Sequence, residues 1–562
     1  MSDTISSGQL PTITESSRRA QGRDAQSTNI AAARALGEVV RTTLGPDGLD
    51  KMLVGSDGKV IVTNDGASII ERMDIEHPAA QVVVDVAATQ REAAGDGTTT
   101  AVVLAGTLLE NAEDLLEQGF HPTTVTDGYH RAAGDALELL RREAVEVDAG
   151  ATERLLEVAS TAITGKWGPE ATAFFAQRAV EAVQAITRDG TVDFDRISRK
   201  TVSGGSVFDT ELVDGLIIDM EQSSTDVVSP DPGAPRRIED ATVVLVDGEL
   251  TVETVTDQGR VSVDSPADLD RFRQYEEEVY DAHVQRIVDA GADVVFCQKS
   301  VDDAVRYLLA KAGVLAVERT RQDELHKLAR ATGATPVAKT DELTTAETGT
   351  AGLITRRAVG PTQLTVVSDC AGFEQVSLLL RGETEQIVAE TKRVIDGCLY
   401  ALKHAVEGGR VVPGGGAVET RLARELESYA DGISGREQFA VRAFAESLTT
   451  IPKTLATSAG LNPIDSLVEL RSRQHDGATR AGLASGVGVV DDTLAHGVVD
   501  PLEVKQRAIS GAVEAANVLL RVDDIITASA ESGHGGGDEH DHDHGPGDVV
   551  EASGGYPWTL GH

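Results

Sequence analysis

Gly95-Asp96-Gly97-Thr98-Thr99-Thr100 sets one acid between two glycines and follows it with three hydroxyl side chains. Glycines let a backbone approach a ligand closely, a helix N-terminus offers free N–H groups to an anion, and hydroxyls donate to phosphate oxygens. Asp96 has the chemistry to hold Mg2+, an ion that keeps several waters and takes one or two protein carboxylates. The same six residues also describe a linker between two helices with a Thr N-cap, and spacing alone does not separate the two readings. A P-loop is excluded, because neither Gly58-Lys59 nor Gly165-Lys166 is followed by Ser or Thr.

Both flanks of this stretch read as helices, from Ala79 to Ala94 and from Thr98 through Val102, Val103, Leu108, Leu109, Leu115 and Leu116. Upstream, Ile30, Ala33, Leu36 and Val40 recur at helical spacing within Ser27 to Leu44, and Gly45-Pro46 stops the pattern. Val60-Ile61-Val62 is a β-branched run closed by Asn64-Asp65-Gly66, which predicts a strand with Asp65 at its end. The middle third changes character. Val243–Val246, Val294–Cys297 and Val314–Val317 read as short strands, with a helix over Val301–Ala312 in a βαβ rhythm. Ser265-Pro266-Ala267-Asp268 starts a further helix reaching about Ala290, whose first half is too poor in apolar residues for a core position and is expected to project into solvent. From Gln386 to the 520s the pattern is helical again, broken at Pro413-Gly414-Gly415-Gly416, and a Gly/Asp/His tract follows from Gly533 to Gly547.

At 562 residues the chain exceeds one ordinary core and predicts about three domains. Its 51 Lys and Arg against 91 Asp and Glu give a net charge of −40, which argues against binding nucleic acid or an anionic membrane. Only 12 of the 51 are Lys, and an acidic, lysine-poor surface of this kind suits molar salt, where screening suppresses self-repulsion. Cys297, Cys370 and Cys398 are widely spaced and form no zinc pattern, so a reducing, cytoplasmic location is expected. The N-terminus lacks an apolar leader segment, and no run of about 18 apolar residues occurs.

Four signatures occur together and in order: Thr42–Leu53 (TTLGPDGLDKML), Thr63–Ala67 (TNDGA), Gly95–Gly106 (GDGTTTAVVLAG) and Val412–Glu419 (VPGGGAVE). With Thr161–Lys166, Val294–Lys299 and Leu328–Ala334, they make the chain resemble the group II chaperonins from roughly Thr28 to Ala528. The resemblance implies a mixed α/β multidomain subunit of an ATP-driven, double-ring folding chamber. In it a mostly helical equatorial domain would cover 27–160 and 403–528, and a small α/β intermediate domain 161–222 and 367–402. An α/β apical domain would cover 223–366, with a helical lid extension at about 251–290, and the ends 1–26 and 529–562 would be disordered.

The resemblance also implies site residues. Leu44, Gly45, Pro46, Gly97, Thr98, Thr99, Thr100, Gly415, Gly416 and Asp500 would contact the nucleotide, Asp96 would hold Mg2+, and Lys166 would sense the γ-phosphate. Asp65 and Asp396 would flank the attacking water. Implied partners are unfolded protein clients and copies or paralogues of the chain in a homo- or hetero-oligomeric double ring, with no separate co-chaperonin lid, no nucleic acid and no membrane. Taken singly, these residues have plainer readings: Asp65 as a turn residue, Asp396 as a solvated residue of an amphipathic helix, Lys166 as a surface lysine, and the glycine run as a loop. Two departures from the family pattern, Glu383 and Gly397, remove no functional group, whereas a short stretch at Val489–Gly497 makes the Asp500 position the least secure. The histidines of the tail, His534, His540, His542 and His544, read as solvated or as ligands of Ni2+ or Zn2+. Competing functions are a small-molecule phosphotransferase using the same ATP site, for which no acceptor motif is found, and a non-catalytic ring scaffold.

Overall fold

The long helices on either side of Gly95–Gly97, Pro78–Ala94 and Thr98–Glu117, pack with Arg23–Arg41 and Pro122–Glu143 around one core. Thr98–Glu117 lies at its centre because it is apolar on nearly every side: Val102, Ala105, Leu109 and Ala112 are fully buried. The chain leaves this core and comes back to it, since Ala417–Ala430, Glu437–Leu448 and Leu502–Leu520 complete the same cluster. The computed structural model describes residues 18–55, 58, 60–148, 150–219, 235–251, 266–360, 362–370 and 375–527. Residues 252–265 of the expected lid and the Gly/Asp/His tract fall outside them.

A second core gathers Thr152–Ala162, Pro169–Ile186 and the helix Glu385–Gly408 against a sheet in which Val376–Gly382 runs between Ile197–Ser203 and Glu211–Asp214. Glu385–Gly408 passes through the expected boundary at 402 without a break, because Cys398, Leu399, Leu402 and Ala405 keep one buried stripe going. The third unit is a six-stranded sheet in the order Leu315–Val317, Val294–Cys297, Arg237–Val246, Gly349–Val359, Thr362–Ser368, Leu216–Asp219. Its first two pairings are parallel and the rest antiparallel. Val243 and Leu245 enter one apolar cluster while Val244 and Val246 enter another. Both faces are therefore covered, and this is why these strands read as unbroken apolar runs rather than alternating ones.

Two expectations need correction. The stretch 1–26 was expected to be disordered, yet Arg18–Gln21 pairs antiparallel with Asp524–Thr527 and a helix begins at Arg23. Pairing with a distant strand supplies the backbone partners that this polar segment does not advertise locally. The C-terminal part is not purely helical: Arg410–Pro413 pairs with Val499–Pro501, and Gly482–Ala484 forms a hairpin with Gly488–Val490. These strands are only three or four residues long, too short for periodicity to reveal. The helix opened by Pro266 runs to Asp289, and its second half is anchored by buried Ile287 and by the Tyr280 hydroxyl donating to Asp302 at 3.0 Å.

Candidate active site

A cleft of about 990 Å3 opens where the first core meets the helix Glu385–Gly408. Two helix N-termini face it, those of Thr98–Glu117 and Ala417–Ala430. Their N-caps are Gly97 and Gly416, left-handed at φ 78° and 76°, and neither end has a side-chain cap. Glycine is required there by the backbone, and no side chain caps the first turn of either helix, although the Ala417 N–H donates to the Gly414 carbonyl at 3.2 Å. Gly415 meets the hairpin Gly482–Ala484 so closely that a Cβ on it would lie 2.1 Å from the Leu483 carbonyl oxygen, and a Cβ on Gly416 would lie 2.8 Å from Pro452 Cβ. Leu44, Gly45 and Pro46 form another wall, and a Cβ on Gly165 would lie 2.3 Å from the Pro46 oxygen. That contact seats the Lys166 loop directly on the Leu44–Pro46 turn.

Asp96 projects from the glycine turn. Its Oδ1 accepts from the Gly97 N–H at 2.6 Å, and Gln90, buried behind it, donates to the Asp96 carbonyl at 2.8 Å. Burial, and then the nearby Asp500 carboxylate, push its carboxyl above the usual range, against the pull of Gly97, Lys505 and Lys166. Strong perturbation in a cleft is the mark of a working carboxylate. Among the described residues no three His, Cys, Asp or Glu side chains gather as a metal cage. A cation at Asp96 would therefore complete its shell with phosphate oxygens and water, as Mg2+ commonly does, so the donor set fits that ion.

Sequence reading missed the pair behind Asp500. Lys505 Nζ donates to Glu419 at 2.6 Å and lies 3.1 Å from Asp500, and Glu419 is 1% exposed. Burial alone would lower the Lys505 pKa, but Asp500 and Glu419 together raise it, so the ammonium is firmly charged. Lys505→Met is expected to cost about 3–5 kcal/mol, because it strands two carboxylates without their cation. Thermal unfolding of the variant in molar salt measures this, and an unchanged midpoint would contradict it.

Asp65 caps the helix Gly66–Arg72, with its Oδ2 accepting from the Ser68 N–H at 3.0 Å and the Ser68 hydroxyl at 2.6 Å. A Cβ on Gly66 would lie 2.3 Å from Thr99 Oγ1, so this junction touches the hydroxyl run. Lys166 donates to Asn64, beside Asp65. Leu44, Gly45, Pro46, Asp65, Asp96, Gly97, Thr98, Thr99, Thr100, Lys166, Gly415, Gly416 and Asp500 all line the one cleft. Asp396 does not: its two oxygens meet Lys392 at 2.7 Å and Arg199, on the strand Ile197–Ser203, at 3.2 Å. The expected partner of Asp65 is thus held off the cleft by two cations. One turn earlier on the same helix, Glu390 and Arg393 line the cleft instead, and neither was anticipated.

Two cores that meet at one cleft, with helix ends and acids facing it, and a separate six-stranded unit make this a mixed α/β, multidomain protein whose cleft has the chemistry to take an anion. The chain belongs to the TCP-1/cpn60 chaperonin family, whose profile matches residues 36–530. It is 45% identical to thermosome subunit alpha of Halobacterium salinarum over 539 residues, covering 96% of this chain and 95% of the relative. It is 44% identical to thermosome subunit 1 of Haloferax volcanii over 550 residues, covering 98% and 97%. A third relative, a thermosome subunit of Methanopyrus kandleri, is 45% identical over 524 residues, covering 92% and 95%. The chain is accordingly an archaeal group II chaperonin subunit, an ATPase whose hydrolysis drives protein folding.

Proposed function

We propose that ATP binds in this cleft with Mg2+ and is hydrolysed there. The observation carrying this reading is the pair of glycine-capped helix N-termini facing one cleft that Asp96, beside the first of them, also lines. Thr98, Thr99 and Thr100 and the N–H groups beside them hold the phosphates, and Asp96 holds the metal. Mg2+ bound there neutralises charge on the phosphates. Leu44, Gly45, Pro46, Gly415, Gly416 and Asp500 receive the sugar and base, and Lys166 meets the γ-phosphate. Asp65 orients the attacking water. Asp396 joins it on closure, its side chain trading its contacts with Arg199 and Lys392 for the cleft while Glu390 and Arg393 stay docked on Thr63 and Ser68, which makes turnover conditional on that closure. Positioning and charge neutralisation dominate phosphoryl transfer, so weak bases suffice.

On this reading the first core corresponds to the equatorial domain (27–160 and 403–528), the second to the intermediate domain (161–222 and 367–402) and the six-stranded unit to the apical domain (223–366), with two departures: Leu216–Asp219 pairs into the six-stranded unit, and Thr152–Ala162 packs into the second core. The segment 251–290 serves as a lid, so no separate co-chaperonin is needed. Subunits, identical or paralogous, form a double ring in the cytoplasm around unfolded clients. Support for a neighbour comes from the hairpin of Lys51–Val54 and Val60–Thr63, a two-stranded ribbon with no third strand among the described residues, where Met52 and Val54 are each 68% exposed. No helix among the described residues is long and apolar enough to cross a membrane.

The purified particle is expected to release ADP and free phosphate with no acceptor present, and to shield a client from protease with ATP. Deleting Val255–Tyr280 is expected to spare the first and abolish the second. A requirement for an acceptor alcohol or acid would identify a phosphotransferase, and no turnover at all a scaffold.

A further inference from the structure

We propose that Arg393 is a positioning residue for hydrolysis, which acts through Ser68 to fix the Asp65 carboxylate at the cleft wall. The proposal rests on the reading of Asp65 as the group that orients the attacking water. A closed ring of side chains carries it. The Arg393 guanidinium donates to the Ser68 hydroxyl oxygen at 2.9 Å, and that hydroxyl lies 2.6 Å from Asp65 Oδ2. A guanidinium has no acceptor, so the serine oxygen must accept from Arg393 and spend its only proton on Asp65. The direction of the relay is therefore fixed. Ser68 is 1% exposed, which leaves no water to substitute for either partner.

The other half of the ring grips Asp65 from its backbone. Glu390, paired with Arg393 at 2.8 Å, accepts from Thr63 Oγ1 at 3.4 Å, and the same oxygen accepts from the Asp65 N–H at 3.1 Å. Two residues one turn apart on Glu385–Gly408 thus hold both the main chain and one carboxylate oxygen of a residue more than three hundred positions away in sequence. Asp65 Oδ2 is committed to Ser68, and Oδ1 is left for the cleft. A charge-assisted donor also polarises the serine hydroxyl and strengthens its bond to the carboxylate. Arg393 consequently transmits the docking of this helix, through Ser68, to the carboxylate that must meet the water.

Because a misplacement of about 1 Å at a reacting group costs on the order of a hundredfold, Arg393→Gln is expected to lower kcat about 10- to 100-fold, with KM for ATP changed less than about twofold. Ser68→Ala is expected to show a similar loss, and Arg393→Gln with Ser68→Ala no more than the larger single loss, because both break one relay. Arg393→Lys, which keeps a cationic donor, is expected to recover part of kcat. Steady-state ATPase of the assembled particle in molar salt, with Asp65→Asn alongside, is the test. Should Arg393→Gln fail to assemble, Ser68→Ala and Arg393→Lys decide it. Unchanged kcat in these variants while Asp65→Asn is inactive would overturn the positioning role alone. Additive losses in the double variant, or a change confined to KM, would overturn it too. Full activity in Asp65→Asn would overturn the underlying reading of Asp65.

Discussion

Asp96→Asn is expected to reduce ATP hydrolysis about a thousandfold or more, because losing the carboxylate proposed to hold Mg2+ removes several kcal/mol of charge stabilisation. It is also expected to leave the fold as stable or more so. Burial and the Asp500 carboxylate already push the Asp96 carboxyl above its ordinary range, so the ionised group is a cost to the native state. The sign follows from linkage: a carboxyl whose pKa is raised on folding favours the native state at low pH, and that benefit is lost as pH rises through the raised value. A neutral amide carries no such penalty. Activity and stability therefore move apart in this one variant, which an ordinary folding defect cannot imitate. The same competition between proton and metal predicts that the acid limb of the wild-type pH–rate profile moves to lower pH as Mg2+ is raised. Thermal melting and ATPase at limiting and saturating Mg2+ check both points. A variant that turns over normally, or an acid limb indifferent to Mg2+, would remove the metal from Asp96.

How much of this was legible in the chain depends on where the geometry is decided. Gly95–Thr100 and Gly414–Gly416 could be read because a left-handed glycine followed by a helix start is a local event, and the two N-termini stand where their sequences put them. Burial in the strands Arg237–Val246 and Val294–Cys297 was likewise written in their continuous apolar runs. Asp396 shows the limit. Its place on an amphipathic helix was readable, but its direction is set by Lys392 one turn away and by Arg199 on a strand of the same unit that is distant in sequence, a non-local balance of charges. Lys505 and Glu419 were missed for the same reason, since each resembles a solvated helix residue until its partner is known. Arg393 and Glu390 were not singled out, because in sequence they are only an i,i+3 pair of opposite charges, and it is the approach of Thr63 and Ser68 that gives them a task.

The ring itself is expected to come apart on dilution from molar to roughly 0.1 M KCl, with loss of ATPase, and to reassemble when salt is restored. Each subunit carries a net charge of −40, and copies placed side by side repeat that charge around the ring. At roughly 0.1 M salt the Debye length is about 10 Å, comparable to the spacing of carboxylates across a seam, whereas near 1 M it is about 3 Å and the repulsion is largely screened. Attraction at the seam would come from apolar surface such as Met52, Val54 and Val62 on the exposed hairpin, which salt does not screen. Association is therefore a contest between a term that salt removes and a term that it leaves or strengthens. Replacing Met52 and Val54 by Ser should shift the midpoint of assembly to higher salt, because the apolar term shrinks while the charge term is unchanged. Sedimentation velocity across a KCl series reads both midpoints. A particle equally intact at about 0.1 M and about 2 M would show that screening does not govern assembly, and the acidic, lysine-poor surface would then need a reason other than molar salt.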